Sequence, residues 1–254
     1  MNGLLETYRK VYEQAFIPIF VDDAFDSLML VDACVVAGFG AIEYTLRRKD
    51  ANTMIPLIKE RYPDLMILVG STLDEDRIVQ RMRDRYPQLL TLDELDSIGV
   101  DGFISYLSWN DDNIRKYSPR KLVIPSARTT GEAYRQIAAG AHFVKLAGND
   151  LGLIKQCRLE PSFGYCPIFV SAGMTPERIP AAVEAGGVLI SAGFDTIING
   201  DAANVTVESI AESLRLRQRV TLESRATRWP DLSIAANTDE WLRSLPHYHP
   251  FPVD

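Results

Sequence analysis

The sequence has few cysteines, no long hydrophobic run and no excess of positive charge. Its 254 residues include three cysteines, Cys34, Cys157 and Cys166, none of which is spaced as a CxxC pair. An odd number of cysteines in a chain without an export signal is typical of a reduced compartment. We therefore predict a cytoplasmic protein in which the cysteines are buried small side chains, with no metal site and no disulfide framework.

Two further absences exclude classes of partner. No segment approaches the roughly 20 consecutive apolar residues of a membrane span, and Glu6 and Glu13 interrupt the apolar residues of the first segment. The formal net charge is -7, and no run of basic residues compensates for it. Nucleic acid and anionic membranes attract basic surfaces, so we expect neither as a partner.

Short apolar runs recur along the chain, and stretches with helical spacing lie between them. The predicted strands are residues 17–21, 41–46, 65–69, 102–106, 121–124, 142–146, 167–170 and 188–191. The predicted helices are residues 26–37, 53–61, 74–85, 130–139, 176–185 and 205–220. Strands that are apolar on both faces are typical of a parallel sheet covered by helices.

This order of elements predicts an α/β fold, a single (β/α)₈ TIM barrel over residues 1–224 with an N-terminal helix. Several predicted helices end in an Ala-Gly pair just before the next strand, so the strand–helix unit repeats regularly. This regularity favours a closed barrel over an open doubly wound sheet. Residues 83–98 are interpreted as extra helical material. An irregular C-terminal extension, residues 225–254, is expected to pack on the barrel or on a neighbouring subunit.

Lys145 is the strongest candidate for a catalytic residue because it lies within an otherwise apolar strand, AHFVKLA at residues 141–147. Lysine is rarely buried without a partner, and desolvation favours the neutral amine that attacks a carbonyl group. A lysine at the end of a strand can also extend its ammonium group to solvent. Both interpretations are open from the local sequence.

Glu43 is a carboxylate within another apolar strand, and Arg47 follows on the same face by the period of two. The carboxylate could move protons, and the guanidinium could bind a substrate carboxylate in the same pocket. The alternative is a structural Glu43–Arg47 pair near the barrel mouth.

These segments carry a resemblance to a known family. EYTLR at residues 43–47 resembles the E-V-T-L-R motif of the 2-keto-3-deoxy-6-phosphogluconate and 4-hydroxy-2-oxoglutarate aldolases. ILVGST at residues 67–72, PSARTTGE at residues 125–132 and FVK at residues 143–145 resemble three further motifs in the same order. The similarity extends over residues 18–198.

The resemblance implies a class I aldolase that needs no cofactor and no metal and that commonly forms a trimer. It implies that Lys145 forms a Schiff base with pyruvate or another 2-keto acid and that Glu43 is the general acid/base. Arg47 and Thr72 would bind the pyruvate carboxylate. The partners implied are a 2-keto acid and an aldehyde, together with further copies of the chain.

The departures from the family concern the part of the site that would hold the distal end of the substrate. The family's T-G-G turn is Ser171-Ala172-Gly173 here, and its G-G-S turn is Ala192-Gly193-Phe194. Tyr106-Leu107 replaces a proline-glycine pair. Losing a glycine and a serine hydroxyl weakens a phosphate site. We therefore expect an unphosphorylated aldehyde, bound by Tyr106, Ser171, Gly173, Gly193 and Phe194.

Two other functions are open at this point. The Schiff base of Lys145 could serve decarboxylation or dehydration of a 2-keto acid instead of an aldol reaction. A non-catalytic barrel that binds a keto acid, or that serves as an assembly component, belongs to a different class, since barrels host many functions.

Overall fold

The computed structural model describes residues 2–159, 163–198, 205–232 and 237–253. Its eight strands are β1 (Phe16–Phe20), β2 (Ala41–Thr45), β3 (Met66–Gly70), β4 (Gly102–Ile104), β5 (Leu122–Ile124), β6 (Val144–Ala147), β7 (Ile168–Ser171) and β8 (Gly187–Gly193). Each overlaps one of the eight runs predicted from the sequence, so the strand prediction is confirmed. The apolar runs became strands because both faces are covered, by the barrel interior and by the helix layer.

The strands form one parallel sheet that closes on itself. Its order is β5-β4-β3-β2-β1-β8-β7-β6, with β1 paired to both β2 and β8. A bridge between Ser126 and Lys145 joins the two ends, and the backbone N–H of Lys145 donates to the Pro125 carbonyl over 2.8 Å. The fold is therefore the predicted (β/α)₈ barrel, and the open sheet is excluded.

Helices precede, connect and follow the strands. They are α1 (Asn2–Gln14), α2 (Ser27–Ala37), α3 (Ala51–Arg61), α4 (Asp76–Met82), α5 (Leu92–Ile98), α6 (Asp111–Tyr117), α7 (Thr130–Ala138), α8 (Leu151–Gln156), α9 (Ile179–Ala185), α10 (Phe194–Ile198), α11 (Val207–Arg228) and α12 (Thr238–Ser244). The glycines of the Ala-Gly pairs predicted to end helices are Gly38, Gly140 and Gly186, and they have φ of 85°, 113° and 126°. This left-handed conformation closes a helix without a Cβ clash, as expected.

The helix prediction was incomplete in two places. Residues 83–98 contain helix only over α5, which begins at a capping box formed by Thr91 and Glu94. Helices α6, α8, α10 and α12 were not predicted, since segments of five to seven residues are too short to establish a helical period. In the described part of the chain, no helix is both long and apolar enough to span a membrane.

Helix α1 and the C-terminal extension close the N-terminal end of the barrel. The ring of Tyr8 stacks 4.9 Å from Phe143 at the start of β6, and Trp241 of α12 lies 5.9 Å from Tyr8 and 5.7 Å from Tyr12. All four side chains are buried. The described extension thus packs on its own barrel, and α11 runs continuously through the boundary predicted after residue 224. Helix α1 and the extension do not cover the opposite, C-terminal end of the barrel, which can therefore hold a functional site.

Candidate active site

Lys145 and Glu43 meet inside the barrel. They lie on β6 and β2, which stand on opposite sides of the eight-strand ring. The Nζ of Lys145 donates to Glu43 Oε1 over 2.8 Å and to Oε2 over 3.0 Å. Glu43 is 1% exposed and Lys145 9% exposed. The lysine therefore does not extend to solvent, and its partner is the carboxylate.

Gly70 makes room for the Glu43 side chain. Strand β3 runs beside β2 with Gly70 opposite Thr45. A methyl group at position 70 would overlap Glu43 Oε1 and would lie 2.9 Å from Glu43 Cγ. Gly70 is therefore a positioning residue that sequence reasoning missed. The sequence indication of this role was a glycine at the end of an apolar strand, directly before Ser71 and Thr72.

The backbone of Lys145 is fixed at the seam of the barrel. The Ser126 hydroxyl donates to the Lys145 carbonyl over 2.9 Å, and the Lys145 N–H is bonded to Pro125. The ring of Phe169, from the next strand, has its centroid 5.4 Å from Nζ. These contacts hold the amine at one position inside the barrel, which is what a nucleophile needs for a defined angle of attack.

A cavity of about 580 Å³ opens above this pair at the C-terminal ends of the strands. Active sites of (β/α)₈ enzymes lie at this end. Seven residues predicted for the site line the cavity: Arg47, Thr72, Tyr106, Lys145, Ser171, Gly173 and Gly193. The structure therefore brings most of the predicted residues together around one volume.

Arg47 and Arg48 are adjacent but differ in their surroundings. The buried guanidinium of Arg48 donates to the Tyr44 hydroxyl and to both carboxylate oxygens of Asp50, each over 3.1 Å. Arg47 is exposed on the cavity wall and makes no hydrogen bond or ion pair with any described residue. Because Glu43 is paired with Lys145, the alternative of a structural Glu43–Arg47 pair is wrong. The Arg47 guanidinium is available to an anionic ligand.

The wall beside β3 and β4 is built from hydroxyl groups. The Thr72 hydroxyl donates to the Ile104 carbonyl over 3.0 Å, and the Ser105 hydroxyl donates to the Thr72 carbonyl over 2.9 Å. Ser71, also in the wall, has a φ of 59°. The Thr72 oxygen retains its capacity to accept a hydrogen bond. Ser71 and Ser105 had not been predicted, because single serines in a loop carry no distinctive pattern.

The turn after β7 keeps a left-handed backbone in spite of its alanine. Ala172 has a φ of 79° and Gly173 a φ of 61°. Ala172 therefore leaves the shape of this turn unchanged. Only the methyl group is added, since the backbone takes a conformation that glycine would adopt more easily.

Phe194 lies outside the cavity, which corrects its predicted role in substrate binding. Its side chain is 1% exposed, and its ring is 4.9 Å from Phe20, edge to face. The next two residues, Asp195 and Thr196, line the cavity instead. As β8 ends at Gly193 and α10 begins at once, the chain turns Phe194 into the core and Asp195 outward. That turn could not be derived from the strand period.

Tyr106 and Leu107 form the exposed edge of the cavity. Tyr106 is 61% exposed, and the guanidinium of Arg128 lies 4.4 Å from its ring centroid. This pair gives the cavity edge an aromatic, positively charged side. Among the described residues, no group of three or more His, Cys, Asp or Glu side chains is arranged to hold a metal ion.

Comparison with known proteins supports the resemblance stated from the motifs. No protein-family model matches the chain. The 2-dehydro-3-deoxy-6-phosphogalactonate aldolase of Escherichia coli (strain K12) is 24% identical over 190 residues, which cover 73% of this chain and 85% of that protein. The chain thus resembles the 2-keto-3-deoxy-6-phosphogluconate and 4-hydroxy-2-oxoglutarate aldolases.

Solved structures share the fold at low identity. The 2-keto-3-deoxy-6-phosphogluconate aldolase of Zymomonas mobilis superposes with a TM-score of 0.63 at 18% identity, covering 83% of this chain and 96% of that one. A thiamine phosphate pyrophosphorylase from Pyrococcus furiosus gives 0.61 at 10% identity, covering 84% and 98%. Since proteins named for different reactions fit almost equally well, these superpositions establish the fold alone.

Proposed function

We propose that this protein is a class I aldolase that joins pyruvate to an unphosphorylated aldehyde, or cleaves the product, through a Schiff base on Lys145. The observation that carries the proposal is the buried Lys145–Glu43 pair at the base of an open cavity. A buried ion pair is costly in desolvation and is weak support for stability, so a chemical use explains it better. The named activity of the Escherichia coli relative supports the same class of enzyme.

In the proposed reaction Lys145 first gives its ammonium proton to Glu43, 2.8 Å away. The free amine attacks the keto carbon of pyruvate, and loss of water leaves an iminium ion. A proton then leaves the methyl carbon and the electron pair moves into the iminium, giving an enamine. The enamine attacks the aldehyde carbon, the new alkoxide takes up a proton, and water hydrolyses the iminium.

Glu43 is the proposed general acid/base for these proton transfers. It would take the proton from the methyl carbon and return it, through water, to the oxygen of the aldehyde. Its carboxylate contacts Lys145 Nζ behind the cavity lining, so the proton would be handled next to the carbon atom bound to nitrogen. A general acid/base has to stand within hydrogen-bond reach of the proton that it transfers.

Arg47 and Thr72 are the proposed ligands of the pyruvate carboxylate. The unpaired guanidinium of Arg47 can donate two parallel hydrogen bonds to the carboxylate, and the Thr72 oxygen can accept one from a bridging water that itself donates to the carboxylate. The aldehyde would then occupy the opposite part of the cavity, beside Tyr106, Ser171, Gly173 and Gly193.

The proposal of an unphosphorylated aldehyde rests on two side chains at the far end of the site. The Escherichia coli relative is named for a 6-phosphorylated compound, whereas this chain has Ala172 and Phe194 where the resembled family has a glycine and a serine. The methyl group of Ala172 narrows the approach to the turn after β7, and burial of Phe194 leaves no hydroxyl donor at that position. The first change restricts access to backbone N–H groups and the second removes a hydroxyl donor, so both would weaken a phosphate site.

We further propose that residues 1–224 form the catalytic barrel and that residues 225–254 are its extension. The protein would be a cytoplasmic homo-oligomer, which the resemblance implies to be a trimer. Nothing in the proposed reaction requires a cofactor. Pyruvate and an aldehyde are the small-molecule partners.

Borohydride reduction in the presence of pyruvate tests the proposal. The wild-type protein should gain one pyruvyl adduct on Lys145, located by mass mapping, and should release pyruvate from an aldol product. Lys145→Ala should lose both the adduct and turnover, whereas Lys155→Ala, which removes an exposed lysine of α8, should retain both. Release of carbon dioxide without pyruvate would indicate a decarboxylase. An undiminished adduct in Lys145→Ala would assign the nucleophile to another lysine.

A further inference from the structure

Asp195 brings a negative charge to the mouth of the cavity. It is the second residue of α10, directly after β8, and its exposed side chain lines the cavity together with Gly193 and Thr196. The carboxylate bends back over Gly193: a methyl group at position 193 would overlap Asp195 Oδ1 and would lie 3.5 Å from its Cγ. Gly193 thus makes room for the carboxylate, as Gly70 does for that of Glu43.

The carboxylate lies at the end of the cavity away from the reacting amine. Lys145 is the second residue of β6, whereas Asp195 lies two residues beyond the end of β8. Asp195 thus lines the cavity at the C-terminal end of the barrel, where the cavity opens. A molecule attached to Lys145 would therefore direct its far end, and not its keto carbon, toward Asp195.

Asp195 has no partner within the described part of the chain. No hydrogen bond or ion pair joins it to a described residue, although Arg47 lines the same cavity. Arg178 contacts the turn after β7, where it donates to the carbonyls of Gly173 and Gly148, and it does not line the cavity. Among the described residues that line the cavity, Asp195 is the one acidic side chain, and no described cation contacts it.

We propose that Asp195 determines the substrate class by excluding aldehydes with a phosphate at the far end and by accepting a hydrogen bond from a hydroxyl group there. This inference rests on the proposed aldolase function and adds the residue responsible for its specificity. A phosphate carries a charge near -2, and its approach to an uncompensated carboxylate is repulsive. A neutral hydroxylated aldehyde instead supplies the donor that the carboxylate lacks.

Matched aldehydes and one isosteric variant test the inference. The ratio of kcat/KM for glyceraldehyde to that for glyceraldehyde 3-phosphate, each with pyruvate, should favour glyceraldehyde in the wild type. Asp195→Asn, which removes the charge and keeps the shape, should lower this ratio at least tenfold. Asp112→Asn, which removes a carboxylate that is fully exposed on α6, should leave the ratio unchanged.

A binding measurement separates this inference from the proposed function. Isothermal titration with glycerol 3-phosphate should give at least tenfold tighter binding to Asp195→Asn than to the wild type, whether or not either protein turns over. Borohydride trapping of pyruvate on Lys145 should be equal in both, because pyruvate binds at the other end of the cavity. Absence of trapping in the wild type would contradict the aldolase. Equal affinities, an unchanged ratio, or a wild-type preference for the phosphorylated aldehyde would overturn the role of Asp195.

Discussion

At the scale of single residues, the contact between Lys145 and Glu43 determines what the cavity can do. Burying two charges costs several kcal/mol per ion before their attraction offsets it. Hydrogen bonds from Nζ to both carboxylate oxygens recover part of that cost. In the proposed reaction, imine formation with pyruvate would leave the lysine nitrogen without three protons, and the carboxylate would be freed to take part in proton transfer. The hydrogen bonds between Lys145 and Glu43 in the free protein would therefore differ from those during the reaction.

Glu43→Gln tests this division of roles. Loss of a general acid/base typically lowers a rate about 10²–10⁴-fold, so aldol turnover and solvent exchange of the pyruvate methyl protons should both fall by that order. Slow trapping of pyruvate on Lys145 should persist, because the amide still leaves the nucleophile in place. Proton exchange is followed by NMR in deuterated water. Glu60→Gln, an exposed position on α3, is the matched control, and a normal exchange rate in Glu43→Gln would exclude the assigned role.

At the scale of elements, the residues proposed for the chemistry lie within strands, and those proposed for specificity lie in the segments that follow strands. Lys145 and Glu43 lie within β6 and β2, whose positions are fixed by their neighbours in the sheet. Ala172 and Asp195 lie just after β7 and β8. A loop can change its side chains without disturbing the register of a barrel, so this part of the site is free to differ from that of relatives.

Ala172 adopts a backbone conformation that favours glycine, and this has a measurable consequence. A left-handed conformation costs alanine about 1–2 kcal/mol, whereas glycine loses about 0.5–1 kcal/mol more chain entropy on folding. Ala172→Gly should therefore raise the free energy of unfolding by about 0.5–1 kcal/mol, measured by urea denaturation. Ala226→Gly, at an exposed position of α11, should have the opposite sign. Destabilisation by Ala172→Gly would show that its methyl group makes favourable contacts that outweigh the strain.

At the scale of the whole molecule, the barrel is open at one end and closed at the other. The closed end consists of α1, α12 and the chain after it, with aromatic rings stacked on the start of β6. Two histidines are buried there, His142 and His247. Burial lowers the pKa of His142 to about 4 and that of His247 to about 3, with Arg158 and Arg225 adding to the effect at His247.

Because of these two histidines, we expect the free energy of unfolding to fall in mild acid. Both have a folded-state pKa below the value near 6.5 of the unfolded chain, so the unfolded state binds more protons as the pH falls. Each should cost about 2 kcal/mol of unfolding free energy between pH 7 and pH 5, where few carboxyl groups titrate. His247→Phe should show about half the loss of the wild type in urea denaturation at the two pH values. An equal pH dependence in both proteins would mean that His247 is accessible to protons in the folded state.

The sequence by itself determined the eight strands, most of the longer helices and seven of the residues that line the cavity. Apolar runs, helix-ending glycines and the charged residues within β2 and β6 are local signals, because periodicity and burial act on neighbouring positions. For that reason Lys145, Glu43 and Arg47 could be selected before any contact between them was known. Short helices such as α6 and α8 were missed because they hold fewer than two full turns.

Tertiary structure alone decided which of these residues meet. The Nζ of Lys145 reaches Glu43 only because closure of the ring sets β6 opposite β2, and the stagger of strands in a barrel is a property of the whole sheet. The same holds for Phe194 and Asp195, whose directions depend on where β8 ends and on the space beside Phe20. The packing of the C-terminal extension on α1 likewise joins segments more than two hundred residues apart, and no local pattern encodes such a contact.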